Sequence, residues 1–217
     1  MPGPARRPTT SVRAAITGFY AVLDRDDEAL AHALVREARV LQVRIKPRDP
    51  RVRADASDLV RIARMARRVC DVAGAALIVN DRVDVALAAA ADGVHLGQTD
   101  LTLADARRIA PDLWIGVSTH NLAQVRAACD AGADYLGFGP VFTTTTKQNP
   151  DPVQGLDGLR AAALAAGSHP LVAIGGITAA HAAEVYRSGA QAICAISAVN
   201  AAADPLAAAR RFARLPA

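Results

Sequence analysis

A short β-like run followed by a helical pattern recurs eight times in 217 residues, and this repeat predicts an α/β fold, a single-domain (β/α)8 TIM barrel. Two further observations support it. The links between the runs are short, which implies a parallel sheet with helical crossovers. No Gly-x-Gly-x-x-Gly follows the first run, which counts against an open dinucleotide-binding sheet. The length suits one well-buried domain and is short for two, so a barrel of this size needs short loops.

The expected strands are 16–23, 40–46, 76–80, 93–96, 114–119, 135–139, 171–174 and 192–197. Alanine-rich helical patterns fall between them, for example 56–72, 121–131 and 179–188. Asp55 and Thr102 are expected helix N-caps. Gly132 and Gly189 follow helix ends, where a residue without a Cβ can turn the chain into the next strand. Residues 1–14 are Pro- and Thr-rich at their start and are expected as a flexible tail, with 15–217 forming the catalytic barrel.

Composition narrows the function. Apolar residues make up 52% and aromatics only 4%, which favours helices packed closely on a sheet over an aromatic-rich binding surface. The formal charge is +4, but Arg6, Arg7 and Arg13 sit together near the start; 25 bases less these three leave 22 against 21 acids. The body therefore lacks the basic face of a nucleic-acid binder. No apolar run reads as a membrane span or secretory signal. Cys70, Cys129 and Cys194 are odd in number and widely spaced, as expected of reduced thiols in the cytoplasm.

In a barrel of this kind function sits where strands end and loops begin. Along the second strand Gln42, Arg44 and Lys46 share one face, and Leu41, Val43 and Ile45 suit the helix-covered face. The polar row then points into the barrel, where two neighbouring cations need a counter-charge. A bound polyanion supplies one; an internal acid such as Asp24 is the alternative. Of the 25 basic residues only Lys46 and Lys147 are lysine, and both fall at expected active-face positions. Lysine is a compact point charge suited to phosphate.

Asp81 ends the third strand beside Asn80, and Asp100 follows the fourth. Two carboxylates on neighbouring strands suit a hard cation, Mg²⁺, shared with phosphate oxygens. The alternatives are an ion pair of Asp81 with Arg82 and a turn or capping role for Asp100. Ser118 ends the fifth strand and is placed to donate to a phosphate or a ring nitrogen, unless it serves helix capping. His120 has no partner at triad spacing, so a serine-nucleophile reading is weak. The loop 143–147, four threonines and Lys147, offers donors to an anion. Gly175, Gly176 and Ser197 lie after strands seven and eight, where such barrels commonly bind phosphate. Two anion sites follow, for two phosphorylated substrates or one elongated one.

The phrases Gln42-x-Arg44-x-Lys46, Val79-Asn80-Asp81-Arg82-x-Asp84, Gly93-Val94-His95-Leu96-Gly97-Gln98-x-Asp100, Gly116-x-Ser118-x-His120, Gly137-x-Gly139-Pro140-Val141-Phe142, Thr144-x-Thr146-Lys147 and Ala173-Ile174-Gly175-Gly176-Ile177 occur in order. As a set they resemble the thiamine phosphate synthase family, over about residues 16–212. The resemblance implies a cytoplasmic transferase that joins hydroxymethylpyrimidine pyrophosphate to a thiazole phosphate, or its carboxylated form, and releases pyrophosphate. It implies that Gln42, Arg44, Lys46, Asn80, Ser118 and Lys147 hold the pyrimidine pyrophosphate, with Arg44, Lys46, Ser118 and Lys147 catalytic. Asp81 and Asp100 would hold one Mg²⁺ per subunit. Thr144, Thr146, Gly176, Ile196 and Ser197 would hold the thiazole phosphate. Its partners would be these small molecules, with neither nucleic acid nor membrane, and a homo-oligomer is compatible with it. Ile45 stands where the family commonly has an acid, and Thr143 where it commonly has proline. A thiazole tautomerase using His120 and a non-enzymatic, nucleic-acid-binding or regulatory protein using the basic tail are the competing readings. The first would not need Asp81, Asp100 and Lys147 together.

Overall fold

The computed structural model describes residues 11–46, 55–144 and 151–213. Eight parallel strands close into a barrel in sequence order. The elements run α1 (Val12–Ala15), β1 (Gly18–Leu23), α2 (Glu28–Val35), β2 (Val40–Val43), α3 (Ala56–Ala73), β3 (Ala76–Asn80), α4 (Val83–Ala88), β4 (Gly93–Leu96) and α5 (Leu103–Ile109). They continue with β5 (Trp114–Thr119), α6 (Leu122–Asp130), β6 (Tyr135–Phe138), α7 (Gly155–Ala166), β7 (Leu171–Ile174), α8 (Ala182–Arg187), β8 (Ala192–Cys194), α9 (Ile196–Asn200) and α10 (Pro205–Ala213).

Four strand spans agree with the sequence reading to the residue: β3, β4, β5 and β7. Three strands are shorter at the upper rim. The β1–β2 ladder stops at the pair Leu23 and Val43, so Arg44 to Lys46 leave the sheet instead of extending it. The chain leaves β6 after Phe138, and after β8 it turns into α9, which carries Ser197. At the start, Ser11 caps α1, and Ala15 and Ile16 are buried in the barrel floor. Thus residues 11–14, placed in the tail by sequence, are the start of the ordered fold, while residues 1–10 lie outside the described residues. Asp55 and Thr102 cap α3 and α5 as expected, each accepting a backbone N–H.

The closed sheet divides the side chains with period two. Phe19, Leu41, Leu77, Val94, Ile115, Leu136, Leu171 and Ile193 face outward into one large cluster shared with the helices. On α3, Ile62, Met65, Ala66, Val69 and Cys70 recur at helical spacing and face that cluster. Val40, Ile78, Val172 and Cys194 face inward and, with Ile16 and the rings of Tyr20 and Tyr135, form a second cluster inside the barrel. Above them the barrel opens.

One polar device recurs on the floor. Asp92, Asp134 and Gln191 each stand just before an even-numbered strand. Each accepts the N–H of a residue in the preceding strand: Leu77 at 2.7 Å, Ile115 at 2.7 Å and Leu171 at 2.7 Å. Register at the floor is therefore held by a side chain as well as by the ladder. Asp92 and Asp134 also pair with arginines from α3 and α5, Arg67 at 2.6 Å and Arg107 at 2.6 Å. Arg67 is buried, so the pair is intolerant of losing one member. We expect Asp92→Ala to lower unfolding free energy by about 3 kcal/mol in urea titrations, because it leaves the buried Arg67 with only the more exposed Asp71 as a carboxylate partner and removes the bond to the Leu77 N–H. Asp26→Ala, which breaks an exposed pair with Arg61, should cost at most about 1 kcal/mol.

Candidate active site

The open end of the barrel is a cavity of about 810 Å³, lined by residues from the ends of all eight strands. It brings together Gln42, Arg44, Lys46, Asn80, Asp81, Asp100, Ser118, Thr144, Gly176, Ile196 and Ser197. Lys147 and Thr146 lie outside the described residues.

Gln42 points into the cavity from β2, and Arg44 and Lys46, past the end of that strand, also line it, while Ile45 packs against the outer cluster. Asp24 does not compensate these cations; it pairs with Arg25. The counter-charge for Lys46 is Asp81, with Nζ 2.8 Å from the carboxylate. Asp81 adopts a left-handed backbone, φ 63°, at the tip of β3. It does not pair with Arg82, whose partner is Asp84 at 2.5 Å.

Asp100 has the turn role that the sequence left open. Its carboxylate accepts the Gly97 N–H at 2.7 Å, while Thr102 caps the following helix. It also adjoins Asp81. Burial first, and then the neighbouring Asp81 charge, push the Asp100 carboxyl above its ordinary range, against the pull of the Gly97 N–H and the Lys46 ammonium. Two adjacent carboxylates supply hard oxygen donors, and the Lys46 ammonium beside Asp81 offsets part of their charge. That set fits a divalent cation of the Mg²⁺ type.

Ser118 does not cap α6; Asn121 does, accepting the Gln124 N–H. Instead Ser118 Oγ lies 2.9 Å from His95 Nε2. His95, whose role the sequence pattern leaves open, is the centre of a buried chain. Its Nδ1 lies 3.0 Å from Tyr135 Oη, which lies 2.9 Å from Tyr20 Oη. Gln42 Nε2 donates to Tyr20 Oη at 2.8 Å. The chain thus crosses the barrel interior from Gln42 to Ser118. It was not legible because its five members come from five strands. The one sequence trace is the pair Gly116 and Gly137: a Cβ on Gly116 would sit 2.1 Å from Tyr135 Cζ, and one on Gly137 would sit 3.1 Å from His95 Cε1. Burial pushes His95 down to about 4 and holds both tyrosines protonated, well above their usual range.

His120 is occupied differently. Its Nδ1 donates to the Gly139 carbonyl at 2.6 Å, and its Nε2 lies 3.4 Å from Asp151. It does not reach Ser118 by any hydrogen bond between them. Neither histidine completes a serine triad, since the group behind His95 is a phenol and not a carboxylate.

At the opposite rim, Gly175 and Gly176 have φ of 101° and 64°. Sequence reasoning assigned their openness to a ligand. The structure shows a prior demand from the chain itself: a Cβ on Gly176 would meet the Thr143 carbonyl at 2.3 Å, and one on Gly175 would meet Pro140 Cα at 2.5 Å. The two loops pack backbone on backbone, and both still line the cavity.

The thiamine monophosphate synthase family model matches residues 15–199. The chain belongs to the thiamine monophosphate synthase family. A thiamine-phosphate synthase of Chloroflexus aurantiacus is 49% identical over 183 residues, 84% of this chain and 82% of that protein. One from Methanocella arvoryzae is 47% identical over 186 residues, 85% of this chain and 84% of that protein. Among solved structures, a thiamine phosphate pyrophosphorylase from Pyrococcus furiosus superposes with TM-score 0.82 at 37% identity, covering 93% of this chain and 96% of that one. As a member of the thiamine monophosphate synthase family the chain is an enzyme, a transferase of thiamine biosynthesis. The resemblance read from the ordered motifs is the relationship that these matches show.

The neutral state of His95 has a consequence for stability. The folded group stays unprotonated down to about 4, whereas the unfolded one takes a proton below its ordinary 6.5. The unfolded state therefore binds more protons between these values, and stability falls as pH falls through that window. In urea titrations at pH 7 and pH 4.5, wild type should lose on the order of 2 kcal/mol more than His95→Gln. Equal losses would refute a neutral buried His95.

Proposed function

We propose that the enzyme condenses 4-amino-2-methyl-5-hydroxymethylpyrimidine pyrophosphate with 4-methyl-5-(2-phosphoethyl)thiazole, or its carboxylated form, to thiamine phosphate. The observation that carries this is the gathering of the inward cationic row, Asn80, the Asp81–Asp100 pair and Ser118 around one cavity, in a chain of this family.

The C–O bond between the exocyclic methylene and the pyrophosphate breaks, and its electron pair leaves with the pyrophosphate. The aminopyrimidine ring stabilises the cation that remains. The thiazole nitrogen then forms the new C–N bond with its lone pair; with the carboxylated substrate the ring C–CO2 bond also breaks, CO2 leaves, and the ring carbon takes a proton from water. The thiazole nitrogen carries no proton, so the bond-forming step needs no base. The task of the protein is to stabilise a leaving anion and align two substrates.

Arg44, Lys46, Asn80 and Lys147 bind the pyrophosphate. Asp81 and Asp100 would hold one Mg²⁺, which when bound neutralises part of the charge developing on the leaving group. In the structure Lys46 and Asp81 neutralise each other; on substrate binding each would exchange that partner, the lysine for a phosphate oxygen and the acid for the cation. Gln42 and Ser118 hold the heterocycle. Thr144, Thr146, Gly176, Ile196 and Ser197, of which all but Thr146 are described and line the cavity, bind the thiazole phosphate. Reduced Cys70, Cys129 and Cys194 suit a cytoplasmic enzyme. No helix among the described residues is long and apolar enough to cross a membrane.

The protein mixed with both substrates and Mg²⁺ should form thiamine phosphate; no product with any divalent cation would overturn the assignment. Lys46→Ala and Lys147→Ala should each lower kcat/KM by about 100-fold, as loss of a charge-stabilising donor does, with little change in Tm. Full activity in both would remove the lysines from the mechanism. Mg²⁺ affinity should weaken as pH falls, and earlier than for an ordinary carboxylate pair, because Asp100 takes its proton at a raised pH. Isothermal calorimetry at pH 7.5 and pH 5.5 reads this directly.

A further inference from the structure

The seam between β1 and β8 is short. Its register pairs are Gly18 with Ala192 and Phe19 with Ile193, whereas β1 stays paired with β2 up to Leu23. β8 ends at Cys194, and the chain turns almost at once into α9. Above this seam, β1 therefore has a helix and not a strand on its β8 side. Backbone groups along a strand alternate between its two neighbours. The Gly18 N–H donates to the Gln191 carbonyl, on the β8 side, and the Leu23 carbonyl accepts the Arg44 N–H, on the β2 side. By the same alternation the Val22 carbonyl turns to the side that β8 has left.

A buried carbonyl needs a donor. Asn200, the last residue of α9, supplies it: its Nδ2 donates to the Val22 carbonyl at 2.8 Å, and the residue is 6% exposed. Its own carbonyl accepts from Arg25, two residues past β1, at 3.2 Å. A side chain thus stands in for the strand, and the end of α9 is tied to β1 and its exit. Packing alone holds α9 loosely. Ile196, Ser197 and Ala198 line the 810 Å³ cavity in front of it. Behind it, Ala198 and Ala202 line a second cavity of about 510 Å³, walled by Ala208 and Phe212 of α10. Of its five residues, Val199 is anchored in the outer cluster and Asn200 is the other buried one. An apolar anchor leaves a short helix free to pivot, whereas a hydrogen bond is directional and fixes its angle.

We propose that Asn200 is a positioning residue: by closing the open seam between β1 and β8, it sets the angle at which α9 presents Ile196 and Ser197 to the thiazole phosphate. The proposal rests on the assignment of Ile196 and Ser197 to that phosphate. Asn200 itself is not among the residues that line the cavity, so it acts through α9. The groups assigned to the pyrophosphate and the cation, Arg44, Lys46, Asp81 and Asp100, follow β2, β3 and β4 and do not depend on α9. Loss of Asn200 therefore weakens one substrate and spares the other.

The test is steady-state kinetics, each substrate varied in turn, on wild type, Asn200→Ala, Arg25→Ala and Asp92→Ala. Asn200→Ala should raise KM for the thiazole phosphate about tenfold, the size of one net hydrogen bond. KM for the pyrimidine pyrophosphate should stay within about twofold. The dephosphorylated thiazole alcohol, used as a competitive inhibitor, should bind wild type and Asn200→Ala equally, because it lacks the group that α9 holds. Arg25→Ala removes the outer tie at a largely exposed site and should raise the same KM about threefold. Asp92→Ala, at the barrel floor, is the control for lost stability and should move neither KM. An unchanged thiazole-phosphate KM in folded Asn200→Ala refutes the positioning role while the functional reading stands. An equal rise in both KM values, or an equal weakening of the alcohol, means general distortion and refutes it too. If Asn200→Ala does not fold, Arg25→Ala decides by the same criteria. A wild type that forms no thiamine phosphate overturns the functional reading and this proposal with it.

Discussion

A parallel sheet closed on itself leaves each strand residue two directions: outward into helices, or inward where eight strands converge. This constraint governs the molecule. Outward positions carry aliphatic residues and join the helices in one cluster. Inward positions divide by height. The lower ones are apolar and make a floor, sealed by Ile16 below β1. The upper ones are polar, and any polar atom turned inward must find a partner or a ligand. Gln42, Tyr20, Tyr135, His95 and Ser118 meet that demand by bonding one another, so the boundary between core and site is itself a hydrogen-bonded layer.

The charged groups above that layer obey the same rule with larger stakes. Arg44 and Lys46 follow β2 and line the cavity. Asp81 and Asp100 arrive from the neighbouring strands, β3 and β4. Their adjacency raises Asp100, and Lys46 moderates it. The site without substrate is thus partly self-neutralised, which lets a cluster of like charges persist in a folded protein.

Around the rim, backbone takes over from side chain. The loops after β6 and β7 touch through main-chain atoms at Gly175 and Gly176. Glycines that would be read as room for a ligand are first required for loop to lie on loop. His120 contributes to the same rim by donating to the Gly139 carbonyl and approaching Asp151.

The sequence by itself determined the order of the elements, the barrel and the inward row of β2, because all three are periodicities along the chain. It also marked Asp81, Asp100 and Ser118 as strand-end residues, since position after a strand is a local property. It could not decide partners. Asp81 bonds Lys46 and not Arg82 because the left-handed backbone at the strand tip turns its carboxylate to the neighbouring strand. Along the chain His95, Tyr20 and Tyr135 stand far apart, with no pattern that joins them. Their meeting depends on closure bringing β1, β2, β4, β5 and β6 around one axis. Hydrogen bonds between residues up to 115 positions apart, as between Tyr20 and Tyr135, leave no periodicity to read. Only the tertiary structure decided them, and only there did two strand glycines acquire a reason.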